Sequence, residues 1–241
     1  MISFSTELQL LALAACFYIY DSALLLYVNE GILTPNRRSW SIKLAVTGFS
    51  IRGKNLIFPN LLIPHRPVYK LFWDYKSLNT FSTVTWDEEK KRYKIFFPMV
   101  YGMAVALFVT LPLVFFLNRN DFALLACLAL IYLNALLTGL ALLCSQKSLQ
   151  LSRRRCWSIF LECLLCPPLT INVVRKISTQ RVLPTSILAA GVLLLEASQR
   201  EMLLINLLSQ IDNEIEAAAD HEQSSLITTR YELIKFKDQC R

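Results

Sequence analysis

The sequence predicts an α-helical polytopic membrane protein with three clear transmembrane helices, a re-entrant or fourth membrane element, and a small α+β cytoplasmic subdomain. Apolar runs at 8–28, 96–117 and 122–144 are each long enough, as helices, to cross a hydrocarbon core of about 30 Å. Hydrophobic residues make up 54% of the 241 positions, whereas about 45–50% is usual in soluble domains. The excess of positive charge lies in one segment beside these runs.

The first run forms the predicted N-terminal anchor, residues 1–28. No Lys or Arg precedes it and only Glu7 is charged, whereas a cleaved secretory signal would need a basic start. We therefore expect an uncleaved helix with its N-terminus outside. Asp21 lies within this run, and an ionisable group at membrane depth suggests a functional site. The alternative is a carboxyl group that is protonated or hydrogen-bonded to a neighbouring helix.

A basic cytoplasmic loop is predicted over residues 29–95. It holds twelve Lys/Arg and five Asp/Glu, which accounts for the whole net charge of +7. Lys and Arg beside membrane spans are typical of the cytoplasmic side, so nucleic acid is not needed to explain the charge and is not a predicted partner. Alternating apolar residues from Trp40 to Val46, and a turn at 52–55, predict a short β-meander ending at Pro59. Residues 30–35 are predicted to form a turn.

Residues 60–73 are predicted to lie on the inner leaflet. The segment mixes aromatic and basic residues, as is typical of the headgroup level of a membrane. Membrane lipids with anionic headgroups are the expected ligands of the loop. The candidate contact residues are Arg37, Arg38, Lys43, Arg66, Lys70 and Trp73.

The transmembrane hairpin is predicted over residues 96–144, with a four-residue connection at 118–121. Thr85 and Glu88 match a capping box, which predicts a helix that begins in the cytosol and continues into the membrane, with Pro98 and Pro112 as kink candidates. Small or polar residues at helical spacing predict close packing of the spans against a neighbour. They are Gly102, Ala106, Asn134, Thr138 and Gly139.

Residues 145–195 are predicted to form a basic linker followed by the re-entrant or fourth element. The apolar run 157–174 contains Glu162, is interrupted at Pro167 and Pro168, and has basic residues on both flanks. Basic flanks favour a re-entrant or interfacial hairpin over a crossing. If the run does cross, residues 182–195 must return the chain, so the C-terminus stays inside in both cases.

Residues 196–241 are predicted to form a cytoplasmic amphipathic helix and a C-terminal segment. Apolar residues at helical spacing continue to Ile215. The segment 226–237 is rich in Thr, Ile, Tyr and Phe, which fits a strand or a helix. We expect a strand, because the meander needs a partner on the same side of the membrane.

The sequence contains few residues in patterns that indicate a catalytic, cofactor or metal site. We expect no cofactor and no metal site, and we interpret the pair Cys163 and Cys166 as two small hydrophobic residues. The candidate functional carboxylates are Asp21, Glu162 and Glu196. The leading expectation is a non-enzymatic accessory or scaffold subunit in a bacterial inner membrane that binds partner proteins through helix faces and the cytoplasmic subdomain. The alternative is a transport component or membrane-embedded enzyme that acts on a lipid or lipid-linked substrate through these carboxylates.

Overall fold

The computed structural model describes residues 6–27, 29–36, 39–45, 50–51, 54–73, 84–118, 121–217 and 220–239. The chain divides into two compact units. The first comprises Met1–Ala23, Phe58–Val68 and Thr85–Arg181, and the second comprises Leu24–Ile57, Tyr69–Val84 and Val182–Arg241.

The first unit is helical. Its helices are α1 (Thr6–Ser22), α2 (Trp86–Arg92), α3 (Phe97–Val105), α4 (Leu111–Leu113), α5 (Asp121–Cys144), α6 (Gln146–Leu149), α7 (Arg153–Leu165) and α8 (Val173–Thr179). Short 3-10 segments occupy Lys94–Phe96 and Pro167–Asn172. Helix α5 packs against α3 and α7, while the segment Pro167–Asn172 packs against α1 and α3.

Two helical stretches of this unit are long and apolar enough to cross a membrane, Trp86–Phe116 and Asp121–Cys144. Thr85 is the N-cap of the first stretch, and its hydroxyl donates to Glu88 Oε2 at 2.9 Å. Segments of π-helix, Ala106–Thr110 and Val114–Asn118, flank Pro112 in α4. Proline cannot donate the backbone hydrogen bond of a regular turn, so wider turns beside it are a usual adjustment.

The N-terminal apolar run 8–28, predicted to be a transmembrane helix, is not a single helix in the structure. Helix α1 ends at Ser22, and residues Leu24–Leu26 of the same apolar run form a strand. An apolar run alone does not distinguish a helix from a buried strand. Among the described residues, two helices and not three are therefore long and apolar enough to span a bilayer.

The second unit contains two three-stranded antiparallel sheets. Their strands are β1 (Leu24–Leu26), β2 (Glu30–Pro35), β3 (Trp40–Leu44), β4 (Ser50–Ile51), β5 (Lys54–Ile57) and β6 (Tyr69–Phe72). The order is β1-β5-β4 in one sheet and β3-β2-β6 in the other. Strands β4 and β5 pair Ile51 with Lys54 across residues 52–53, so the hairpin predicted there is present.

The sheet pairing corrects three expectations. The predicted single meander is wrong, because β3 pairs with β2 and not with β4. Residues 30–35 form the central strand β2 and not a turn, with Ile32 and Leu33 fully buried between two neighbours. Part of the predicted leaflet segment, Tyr69–Phe72, is a strand of the same sheet. Glu30 and Gly31 argue against a strand by propensity, yet the Glu30 carboxylate is paired with Lys70 on β6 at 2.7 Å.

Helices α9 (Ile187–Leu194), α10 (Ala197–Ala217) and α11 (Asp220–Gln239) complete the second unit. Helix α9 packs against β3 and α10, and a side chain at Gly191 would meet Leu203 on α10 at 2.7 Å. Helices α10 and α11 form an antiparallel hairpin, in which Arg230 Nε lies 2.6 Å from Asp212 Oδ1.

The predicted C-terminal strand is wrong, because residues 226–237 belong to helix α11. Thr229 and Leu233, which lie one helical turn apart on α11, are both buried. Packing against α10 determines the conformation of a segment whose Thr and Ile residues favour strands by propensity alone.

Candidate functional site

Asp21 and Glu162 meet at one lysine in the first unit. Lys176 Nζ lies 2.8 Å from Asp21 Oδ1 and 2.7 Å from Glu162 Oε2. These three residues, called here the Lys176 cluster, come from the end of α1, from the last turns of α7 and from α8. The third predicted carboxylate, Glu196, is exposed and belongs to the second unit.

Burial differs across the Lys176 cluster. The side chains of Asp21 and Lys176 are 13% and 16% exposed, whereas that of Glu162 is 44% exposed. Asp21 Oδ2 is buried and makes no hydrogen bond. Burial by itself would lower the pKa of Lys176, but the hydrogen bonds to Asp21 and Glu162 outweigh it, so the pKa is raised above its ordinary value of 10.5. Lys176 is thus held as a cation by its two carboxylates.

A second polar network lies next to this cluster along the chain. Arg175 is 3% exposed, and its guanidinium donates to Ser22 Oγ at 3.1 Å, to Asn172 Oδ1 at 3.0 Å and to the carbonyl of Asn60. Asn172 Nδ2 in turn donates to the carbonyl of Tyr18 at 3.1 Å. Burial lowers the pKa of Arg175. The network joins α1, the 58–68 segment and the 3-10 segment before α8.

The charges of the Lys176 cluster and of the polar network around Arg175 sum to zero. Lys176 and Arg175 supply two positive charges, and Asp21 and Glu162 supply two negative charges. A buried charge is tolerated when it is paired and hydrogen-bonded, and every charged side chain here has at least one such partner. The arrangement can hold α1, the 58–68 segment, α7 and α8 together without leaving an excess charge in the interior.

Sequence reasoning missed the two cations that organise this site. In the sequence, Lys176 and Arg175 belong to the basic flank after the apolar run 157–174, and nothing in their spacing distinguishes them from other flanking residues. Asn172 and Ser22 lie 150 residues apart in sequence. Only tertiary packing of α8 against α1 and α7 brings these groups together.

A further ion pair was also not predicted. Arg181 Nη2 lies 2.7 Å from Glu89 Oε1, and both side chains are nearly fully buried. Arg92 Nε lies 3.2 Å from the same carboxylate oxygen. Glu89 lies in the first turn of α2, where the helix dipole favours an acidic side chain. In the structure it also fixes α2 to Arg181 at the end of the unit.

The predicted packing residues lie at helix contacts within the chain. A Cβ atom on Gly102 of α3 would come within 2.7 Å of Asn134 Nδ2 on α5, and one on Gly139 of α5 would come within 1.9 Å of Phe160 Cδ2 on α7. Thr138 is buried and donates to the carbonyl of Asn134 at 2.8 Å. Ala106 is buried in the same unit. These small residues allow α3, α5 and α7 to approach one another closely.

The described members of the predicted headgroup contacts are divided between the two units. Arg37 and Arg38 lie outside the described residues. Arg66 is half-buried in the first unit, whereas Lys43, Lys70 and Trp73 belong to the second. Lys43 is exposed, Lys70 is paired with buried Glu30, and Trp73 is buried.

The cysteine pair and the comparisons add no recognised chemistry. Burial raises the pKa of the Cys163 thiol to about 11, which disfavours the reactive thiolate form at neutral pH. No group of three His, Cys, Asp or Glu residues that could hold a metal ion occurs among the described residues. No family model, curated protein or solved structure matches this chain.

Proposed function

We propose that the protein is a membrane-embedded accessory or scaffold subunit, non-enzymatic, that presents its α+β unit to a partner protein in the cytoplasm. The observation that carries this proposal is the exposure of its two long apolar helices. Only 28% and 39% of the residues in their most apolar windows are buried. A core helix of a soluble protein would be mostly buried.

The length of these helices supports the same proposal. At 1.5 Å per residue, the 24 residues of Asp121–Cys144 extend about 36 Å, enough to cross a hydrocarbon core of about 30 Å. No Lys, Arg, Asp or Glu lies between Ile95 and Leu117 or between Phe122 and Cys144. Large apolar side chains exposed along α5 include Leu125, Leu130, Leu133, Leu137 and Leu140.

Partner binding is proposed for the second unit because the small-residue faces of the long helices already serve contacts within the chain. On α11, the side chains of Ile227 and Tyr231 are 53% and 71% exposed. Residues four apart in a helix are neighbours on its surface, so these two form one apolar spot on the α10–α11 hairpin. Aromatic residues of this kind are frequent anchors in protein interfaces.

The membrane part of the proposal predicts the effect of Leu130→Arg. Leu130 is 50% exposed near the middle of α5, and arginine at the centre of a membrane helix costs about 2.5–3.5 kcal/mol on insertion scales. We expect a clear loss of protein from membranes washed with alkaline carbonate. Leu130→Ile should behave as wild type, and so should Ser224→Arg, at an exposed position on α11.

An increase in soluble protein would count against the membrane proposal. If α5 faces water, Leu130→Arg removes an exposed apolar side chain and raises the yield of soluble protein. Such an increase, with wild-type protein released by carbonate, would contradict the membrane proposal.

The scaffold part of the proposal predicts the effect of Ile227→Asp combined with Tyr231→Asp. We expect this variant to lose a protein that copurifies stoichiometrically with the wild type in mild detergent, as measured by quantitative mass spectrometry. Glu232→Lys, at an exposed position that follows Tyr231 and points to another side of α11, is the matched control and should retain the partner. Unchanged partner stoichiometry in the double variant would contradict the assignment of the binding surface.

A second candidate function has one observation in its favour. Asp21 Oδ2 is buried without a hydrogen bond beside the half-exposed Glu162, and ionisable residues at membrane depth frequently mark ion or substrate paths. The candidate is a transport component or an enzyme acting on a lipid or lipid-linked substrate. The same purification distinguishes the two functions, because a specific lipid in place of a stoichiometric protein would favour this one.

A further inference from the structure

Two basic segments that are distant in sequence are in contact in the first unit. Arg92 Nη1 donates to the carbonyl of Ser148 at 2.5 Å, so the chain just before α3 lies against the chain just after α5. The basic residues on these two segments are called here the basic face. They are Lys90, Lys91, Arg92, Lys94, Lys147, Arg153, Arg154 and Arg155.

The positive charge of the basic face exceeds the negative charge carried by the same two segments. Glu89 is paired with Arg92 but also with Arg181, so it cannot neutralise both arginines. Two further acids, Asp87 and Glu88, are present on α2. Six residues of the face, all except Lys90 and Arg92, are exposed.

The basic face lies where the long apolar helices end. Lys94 immediately precedes the apolar run of the first stretch, and Lys147 lies three residues after the end of α5. At the opposite end, the connection 118–121 carries one basic and one acidic residue, which cancel. The charge of this hairpin is therefore strongly asymmetric along its length.

We propose that the basic face binds the phosphate headgroups of anionic phospholipids in the leaflet where both long helices emerge. This inference rests on the proposed membrane function and adds the chemistry of the ligand and the orientation of the hairpin. Guanidinium groups match phosphate oxygens with paired hydrogen bonds, and clustered Lys and Arg beside a membrane are attracted to its anionic surface. Continuity of the face with exposed apolar helices favours a bilayer over a soluble polyanion.

The test uses the full chain in nanodiscs of phosphatidylcholine containing a minor fraction of phosphatidylglycerol. We expect native mass spectrometry to show retained phosphatidylglycerol enriched on the order of tenfold over its fraction in the disc, with the enrichment falling as salt rises. Arg153→Gln, Arg154→Gln and Arg155→Gln together should abolish most of the enrichment. Lys90→Gln, Lys91→Gln and Lys94→Gln form a second, independent set with the same expectation.

The matched control removes three charges from the second unit, with Lys43→Gln, Lys235→Gln and Lys237→Gln, and should retain the enrichment. Unchanged enrichment in both test sets, with a normal helical circular dichroism spectrum, would overturn the inference. Preferential binding of a soluble acidic peptide or of single-stranded RNA over phosphatidylglycerol would also overturn it. Failure of the wild-type chain to enter any nanodisc would instead refute the proposed membrane function.

Discussion

Replacing Lys176 with methionine is expected to destabilise the protein by about 3–5 kcal/mol, the usual cost of removing one partner from a buried ion pair. The substitution leaves the carboxylate of Asp21, which is 13% exposed, without its only ion-pair partner among the described residues. Denaturant unfolding in detergent, followed by tryptophan fluorescence, measures the change. Adding Asp21→Asn to Lys176→Met should recover most of the loss, because the unpaired charge is removed.

Glu162→Gln is the internal control for this prediction. The carboxylate of Glu162 is 44% exposed, so its loss should cost at most about 1 kcal/mol, as for other exposed pairs. Equal costs for Lys176→Met and Glu162→Gln would show that the cluster is not organised around the buried Asp21.

Alkaline pH provides an independent readout of the same cluster. Burial opposes the charged form of Lys176, but its carboxylate partners raise the pKa above the ordinary value of 10.5. The folded state therefore holds this proton more tightly than the unfolded state. The difference in unfolding free energy between wild type and Lys176→Met should have its full value at any pH below 10.5. It should decrease as the pH rises through the higher pKa that Lys176 has in the folded protein. A difference that grows with rising pH would contradict this.

Gly139→Ala is the second substitution with a large expected effect. The new Cβ would lie 1.9 Å from Phe160 Cδ2 and 2.8 Å from Phe160 Cγ, so the whole ring must move and α5 must separate from α7. Overpacking of this kind costs about 1–3 kcal/mol. We expect a lower unfolding midpoint in detergent, and partial recovery when Phe160→Leu is added.

Gly102→Ala is the matched control on a neighbouring helix. Its new Cβ would meet only the terminal amide of Asn134, at 2.7 Å from Nδ2, and a side-chain amide can rotate away. The cost should therefore be smaller than that of Gly139→Ala. The reverse order would mean that the α3–α5 contact, and not the α5–α7 contact, is the tighter one.

The helical character of the chain, its two long apolar helices and a small region of sheet could be predicted from composition and periodicity, and all are confirmed. Local signals also located the pairing of Ile51 with Lys54 and the helix start at Thr85, although the Thr85 side chain accepts no cap hydrogen bond. These features depend on residues close together in sequence.

Features that depend on distant residues could not be predicted. Strand β1, which pairs with β5, lies at the end of the apolar run that the sequence predicts to be a membrane helix. No local property of these last residues distinguishes a helical turn from a strand. The meeting of Asp21 with Lys176 likewise requires the packing of α8 on α1. For α11, the burial of Leu233 against α10 outweighs local strand propensity.

The contact between α1 and Asn172 has a consequence for the order of assembly during synthesis. Tyr18 and Ser22 reach their partner only after the next 150 residues have been made. Forming such a contact requires closure of a very long loop, which slows folding. The N-terminal helix therefore cannot make this contact until the two long helices have been synthesised. The Pro167–Asn172 segment then connects α1 to α3 within the first unit.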